Sequence, residues 1–524
     1  MKELSYLALA SIIGTCAYAD TVRAVADGDW ESESTWENGS TPSSASNPVV
    51  VIESNIEVNL TSGATINGFG NWGDNSILNV SMEESRLTSW INSNYNFSGN
   101  AQINITDGAQ FVYANNNAQN QVFALLGGSN SASFNVTNST LSEGLGWGAS
   151  AGFLIGGENT NIKVNLVNSV WNSYDLSTST QYNAAKSLIS IQATGSGSAS
   201  LSMINSQRKA LDNASSVNIS IENNTSASNS LLIAGNSLLE TCHLTIGGNG
   251  GSGKAVLQFG AYNGNGTFHA AQGGSLEMIS DWSTLKINEG AVIKILADES
   301  NLLSPQANLQ ENAFIRLANG NNNSDYGPQG RVLYLNGEFV FDMKEVDASS
   351  LEKGETYLIS LIYANHWDDE INFDNVSFDV INNENSYFGD FKILFTENTL
   401  ALSFAYVPEP KTFAAMFGAL AAAFAFYRRR NVSPFFAKRQ NFAPKKITSA
   451  CFYRASRRVL SGWSLQVPCP CASSPQKFSS RFPSFCRAFL PCLRQSKTFP
   501  LGLCAFPRQN QAPSQLDGRV FCLP

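Results

Sequence analysis

One stretch of the chain has the spacing of a phosphate loop: Gly248-Asn249-Gly250-Gly251-Ser252-Gly253-Lys254 fits G-x-x-x-x-G-K. In such a loop backbone N–H groups cradle phosphates and a following Ser or Thr hydroxyl holds Mg²⁺. Here the next residue is Ala255 and no helical pattern follows, so the stretch reads as a glycine-rich corner. Of the three histidines His243, His269 and His366, His243 and His269 are each isolated, which fits packed or surface histidines better than acid–base catalysts. Carboxylates gather at Asp368-Asp369-Glu370 with Asp374 nearby, the oxygen-rich chemistry that Ca²⁺ takes. Their spacing matches no calcium loop, and a solvated acidic loop is the simpler reading. Polysaccharide hydrolases need paired carboxylates, and lyases a basic residue with Ca²⁺ or acids beside it. In the middle of the chain the acids Asp107, Glu143, Glu158, Asp175, Asp212 and Glu222 are sparse, as are the bases Lys163, Lys186, Arg208 and Lys209. No catalytic residue, metal ligand or cofactor site is assigned, and the chain is expected not to be an enzyme.

Composition separates two unlike parts. Residues 1–430 carry 19 Lys/Arg against 41 Asp/Glu, a net charge of −22, whereas residues 431–524 carry 14 against 1, a net charge of +13. An acidic body argues against nucleic acid as its partner. Only Cys242 falls between Cys16 and residue 431, so a disulfide framework or zinc site in the body is ruled out. Asn-x-Ser/Thr triplets such as Asn59-Leu60-Thr61 follow from the Asn/Ser richness and carry no function of their own.

The elements that must carry these residues are strands. From Val49 to Tyr406 no amphipathic helical period of ordinary length occurs, and Asn, Ser, Gly and Thr punctuate short apolar pairs. Four pairs fall in rough register, Ile103/Ile105, Phe134/Val136, Val164/Leu166 and Leu201/Met203, followed by Asp107-Gly108, Asn138-Ser139, Asn168-Ser169 and Asn205-Ser206. Leu125-Leu126-Gly127-Gly128 returns as Leu154-Ile155-Gly156-Gly157, which would align Leu125 with Leu154, and has a weaker echo in Leu232-Ile233-Ala234-Gly235. Degenerate repeats of this length predict an all-β fold, a right-handed parallel β-helix whose coils bury their apolar positions only by stacking. Asn and Gly suit its corners because both tolerate positive φ. An antiparallel sandwich array is the alternative, which the lack of two-residue Asn-Gly or Asp-Gly hairpin loops disfavours. Trp30 and Trp36, ahead of the strand Val49–Ile52, are placed to seal the apolar end of the first coil. Longer, more apolar strands from about Gly330 predict a small antiparallel C-terminal cap.

The N-terminus has the pattern of a secretory signal peptide: Met1-Lys2, an apolar run from Leu4 to Ile13, then Ala17-Tyr18-Ala19 before Asp20. Cleavage is expected between Ala19 and Asp20; a lipoprotein reading would instead use Cys16, behind a bulky Thr15. Near residue 407 stand Val407-Pro408-Glu409-Pro410, an apolar run from Thr412 to Tyr427 and Arg428-Arg429-Arg430. A run of that length makes a helix about 24 Å long, just able to cross a bilayer with the arginines as the cytoplasmic stop.

This order closely resembles the PEP-CTERM sorting signal of certain Gram-negative bacteria. The resemblance implies an exosortase that cleaves near the motif and releases the protein or re-attaches it at the surface; a plain C-terminal membrane anchor is the alternative. Residues 431–524 depart from the family pattern. They mix Phe, Pro, Cys, Arg and Ser without period and read as translation past a lost stop codon or through a frameshift. A small disulfide or metal module would need better than Cys469-Pro470-Cys471 without histidine, and a basic nucleic-acid-binding tail rests on charge alone. The segment from Gly28-Asp29-Trp30 to Val49–Ile52 more loosely resembles the start of autotransporter-associated β-strand repeat proteins.

The expected organisation is a signal peptide (1–19), an N-terminal cap (20–48), β-helix repeats (49–329), a C-terminal β cap (330–406), the sorting signal with a transmembrane helix (407–430) and a disordered basic tail (431–524). The expected function is that of an exported cell-surface or extracellular protein, structural or adhesive, associated with exopolysaccharide. Its partners are the Sec translocon, signal peptidase and exosortase, with no nucleic acid and no cofactor. A β-helical polysaccharide lyase or glycoside hydrolase is the alternative, which would require at least two acids converging on a groove.

Overall fold

The computed structural model describes residues 20–431, apart from 46–47, 91–94, 98–99, 116–120, 128–130, 146–149, 176–185, 210–215, 225, 263–266, 270–274, 280–282, 318–329, 374–375, 384–386 and 408–409. Ala17, Ala19, Pro408, Glu409 and the tail beyond Asn431 lie outside the described residues.

Three long sheets enclose the core. Among the described residues the first holds twelve strands from Gly28–Asp29 to Ser377–Ile381, each paired in parallel with its counterpart one coil away. A representative coil runs through Ser131–Thr137 in the first sheet, Thr140–Leu145 in the second and Ser150–Gly156 in the third, and the next begins at Asn161–Val167. The strand Ser131–Thr137 alternates outward and buried residues, because successive side chains of a strand point to opposite faces. Its inward Phe134 and Val136 stack on Ile103 and Ile105 below and on Val164 and Leu166 above, followed by Leu201 and Met203. All eight side chains are buried, each contributing about 1.5–3 kcal/mol by leaving water. The expected register of these four pairs and the parallel solenoid both hold.

The corners between the first and second sheets obey the chemistry expected of them. Asp107, Asn138, Asn168 and Asn205 all adopt left-handed backbone, with φ of 56°, 50°, 49° and 49°. Met82 takes the same role at φ 87° although most of its side chain is exposed, a conformation that costs an ordinary L-residue roughly 1–2 kcal/mol. At the following coil the corner falls to Gly235 (φ 61°), where a Cβ would strike the side-chain oxygen of Asn205. Behind these corners Ser169, Ser206 and Ser237 form an inner ladder, each hydroxyl accepting from the backbone N–H of Ser139, Ser169 and Ser206 respectively.

Three expectations need correction. The Leu125 and Leu154 repeats stack one position away from their apparent alignment, Leu125 pairing with Ile155 and Leu126 with Gly156. The echo at Leu232–Gly235 belongs to the first sheet, not the third. The change of composition near Gly330 marks no change of topology. Arg331–Leu335, Glu338–Asp342, His366–Trp367 and Ser377–Ile381 all extend the parallel stack. The length of chain between stacked partners simply more than doubles, from the step between Val58 and Leu78 to the step between Ile293 and Phe339. The antiparallel cap is confined to Phe388–Phe395 and Thr399–Tyr406, the latter lying between the former and Thr356–Tyr363. At the other end Thr21–Ala24 and Gly28–Asp29 already pair in parallel with the coils above them. Trp30 and Trp36 are buried there, edge to face with ring centres 5.2 Å apart, and Trp36 Nε1 donates to Trp30 O at 2.7 Å.

After Tyr406 the chain forms a helix over Pro410–Asn431, with proline at its first turn where a missing N–H costs nothing. Among the described residues, however, no helix is long and apolar enough to cross a membrane. The apolar run is rich in alanine and contains Gly418, and its length of about 24 Å falls short of the ~30 Å hydrocarbon core, so the expected transmembrane reading lacks both length and apolar weight.

Candidate functional site

The outward positions of the first sheet carry an amide ladder. Asn59, Asn79, Asn104, Asn135 and Asn165 stand one per coil, in register, between the inward apolar pairs. Each later residue donates through Nδ2 to the Oδ1 one coil below: Asn79 to Asn59 at 2.9 Å, Asn104 to Asn79 at 2.9 Å, Asn135 to Asn104 at 2.8 Å and Asn165 to Asn135 at 2.9 Å. A second, shorter ladder of Asn55, Asn75 and Asn100 runs beside it, all three at positive φ. The shorter ladder lies at corners, where Asn is expected, whereas the longer one lies along the strands.

The glycine-rich corner lines a cleft of about 590 Å³ with Glu289, Glu338, Asn336 and Ser377. Asn223, nearly fully buried, anchors it: its Oδ1 accepts from Asn249 N at 2.8 Å and its Nδ2 donates to Gly251 O at 3.3 Å. Lys254 opens the strand Lys254–Phe259, so the segment leads into a sheet rather than the helix a phosphate loop requires. Coil stacking brings Glu289 and Glu338 to one cleft although they lie far apart in the sequence. Sequence reading missed this pair because neither residue has an acidic neighbour that would flag it.

Glu143 and Arg208, read from sequence as sparse, scattered charges, are buried together inside the solenoid. Both are 0% exposed, with Arg208 Nη2 3.5 Å from Glu143 Oε2. Tyr113 donates its hydroxyl to the same oxygen at 3.1 Å, Arg208 Nη1 donates to Glu240 O at 2.8 Å, and the guanidinium lies 5.3 Å from the centre of the Trp171 ring. Burial, reinforced by the Glu143 carboxylate, pushes the Tyr113 phenol well above its usual range. A cluster walled in by Phe153 and Trp171 presents no face to a substrate; it is part of the core.

His243 lies half-buried on the third sheet, its Nδ1 2.9 Å from Thr284 Oγ1; burial, and then the charge of Lys286, hold it below the usual histidine range. His366 falls in the same row, separated from it by Thr284 and Arg331. Asp368, Asp369 and Glu370 join no group of possible metal ligands among the described residues.

The residues of the expected processing sites frame the described fold. Asp20 is exposed, and its carbonyl accepts from Val49 N at 2.9 Å just before the first strand. Val407 is partly exposed and donates its N–H to Tyr387 O at 2.6 Å. Pro410 begins the helix and Arg428, Arg429 and Arg430 lie in its last turns. Between them Phe417, Leu420, Phe424, Phe426 and Tyr427 are all exposed.

Comparison with protein-family models, curated proteins and solved structures finds no match to this chain. Function must be argued from the chain's own residues.

Proposed function

We propose that this chain is an exported surface protein, a structural or adhesive right-handed β-helix that associates with extracellular polysaccharide and is handed to an exosortase for processing. The observation that carries the adhesive part is the regular outward row of hydrogen-bonding amides on a stack of coils, which offers repeated weak contacts without catalytic groups. The processing part rests on the Val407–Pro410 motif, which follows directly on the last strand of the body and leads into an apolar helix with an arginine cluster. In this reading Ala17 and Ala19 direct signal peptidase after Sec export, and the body passes to the surface. Mass spectrometry of the extracellular protein tests it. The expected product begins at Asp20 and ends close to Glu409, and peptides from 431–524 in the secreted fraction would reject exosortase processing.

The cleft beside Gly248–Lys254 favours a second reading, a polysaccharide lyase or glycoside hydrolase in which Glu289 and Glu338 supply the carboxylates and Lys254 the base. New reducing ends or unsaturated products, abolished by Glu338→Gln, would establish that reading; their absence across charged and neutral polysaccharides would dismiss it.

A further inference from the structure

We infer that the outer face of the first sheet, between Asn59 and Ser202, is a docking strip for an uncharged, extended polysaccharide chain laid along the stacking direction. The inference rests on the surface reading above and adds to it a place and a ligand class.

The ladder amides are ordered before any ligand arrives. Each of Asn79, Asn104 and Asn135 both donates to the coil below and accepts from the coil above, which holds these side chains in one orientation. Rotamer freedom lost on folding is not lost again on binding. A carboxamide has two N–H donors and two acceptor sites, and an interior rung of the ladder uses one of each. Asn79 spends its second donor on Glu57, and Asn135 makes a longer contact to Ser133. Asn104 and Asn165 keep a second N–H, and every rung keeps an acceptor site, on a partly exposed face. Because coils repeat at the strand spacing of about 4.7–4.9 Å, these groups recur with a period close to that of the sugar units in an extended linear glycan.

The neighbouring rows are mainly polar. Gln102, Ser133 and Ser200 lie on one side with Ile77, Thr106 and Thr137 on the other with Val167, and Ser202 continues the ladder position one coil beyond Asn165. Within the strip only Glu57 and Lys163 bear charge, with Asp107 at its edge accepting from the Thr106 hydroxyl at 3.0 Å, although residues 1–430 carry a net −22. An uncharged face on an acidic body selects its partner: a polyanion meets overall repulsion, and a polycation finds stronger sites elsewhere on the surface. A neutral polyhydroxylic chain alone is matched to the strip.

Affinity electrophoresis of the full chain tests this in gels cast with hydroxyethylcellulose, a soluble uncharged β-glucan, and in parallel gels cast with alginate, a polyanion. Retardation is expected in the neutral gel and not in alginate. Asn104→Ala with Asn135→Ala should weaken retention about tenfold, the equivalent of roughly two net hydrogen bonds. Since losing two rungs also loosens the coil, a second pair, Ser133→Val with Thr137→Val, keeps the ladder and suits a strand; it should lower retention severalfold with unchanged circular dichroism. Retardation in alginate alone, no retardation in either gel, or wild-type retention by both double variants would overturn the strip. None of those outcomes touches the processing reading, which stands or falls on the termini of the extracellular protein.

Discussion

At the scale of single residues, the buried Glu143–Arg208 pair is the most demanding feature of the core. Two charges at 0% exposure are tolerable only while each has the other and its hydrogen bonds to Tyr113 and to the Glu240 carbonyl. Arg208→Met should therefore destabilise the fold by about 3–5 kcal/mol, because it strands the Glu143 carboxylate; adding Glu143→Met should recover much of the loss. Denaturant midpoints of the two variants decide the point, and equal losses would mean that the pair is held by packing rather than by charge. The His243 side chain is expected to shape the acid limb of stability. Its lowered pKa means that the folded state favours the neutral ring, so its contribution is complete above about pH 6.5 and is lost as pH falls below that. His243→Gln should flatten the stability profile between about pH 7 and pH 5, and an unchanged slope in urea melts across that window would show that its burial has no energetic consequence. Tyr113 acts with the opposite reach: burial favours its neutral phenol, so its contribution is present below about pH 10 and lost above it. None of this was legible in the sequence, where Glu143 and Arg208 lie far apart and look like any other sparse charges.

At the scale of elements, the sequence is most informative where one residue type has one physical reason to recur. The inward pairs from Ile103/Ile105 to Leu201/Met203 reveal the register because a slip by one residue would turn every apolar side chain outward. Asp107, Asn138, Asn168 and Asn205 mark corners because few other residues accept left-handed backbone. Where apolar residues run without alternation, as at Leu125-Leu126 and Leu154-Ile155, two registers look alike and the more obvious one is wrong. The stretch after Gly330 misleads for a related reason, since a strand such as Thr356–Tyr363, buried at nearly every position, lacks the period that would show whether it continues the parallel stack. The N-terminal cap carries its own expectation. Trp36 is 2% exposed against Trp30 over the first coil, so Trp36→Ala should cost about 3–5 kcal/mol. A denaturation curve that does not move would show that the first coil is sealed without it.

At the scale of the whole solenoid, each strand answers mainly to the strand one coil away in its own sheet. Added length in a connection between sheets should then leave the stack intact, whereas added length at a tight corner should not. An insertion of about ten residues at Gln306, in the long link from Ala291–Leu296 to Ile315–Leu317, should cost roughly 1 kcal/mol or less. The same insertion between Asn138 and Ser139 should break both the corner and the inner serine ladder and cost several times more. Thermal melts of the two insertion variants test the contrast, and equal tolerance would refute it. The final strand, Thr399–Tyr406, has a further consequence through its position between two antiparallel neighbours. Tension applied beyond Val407 pulls this strand lengthwise against both neighbours at once. Its hydrogen bonds are then loaded together in shear, instead of being peeled open one after another. A body tethered by that end would resist drag at the very place where the tether begins.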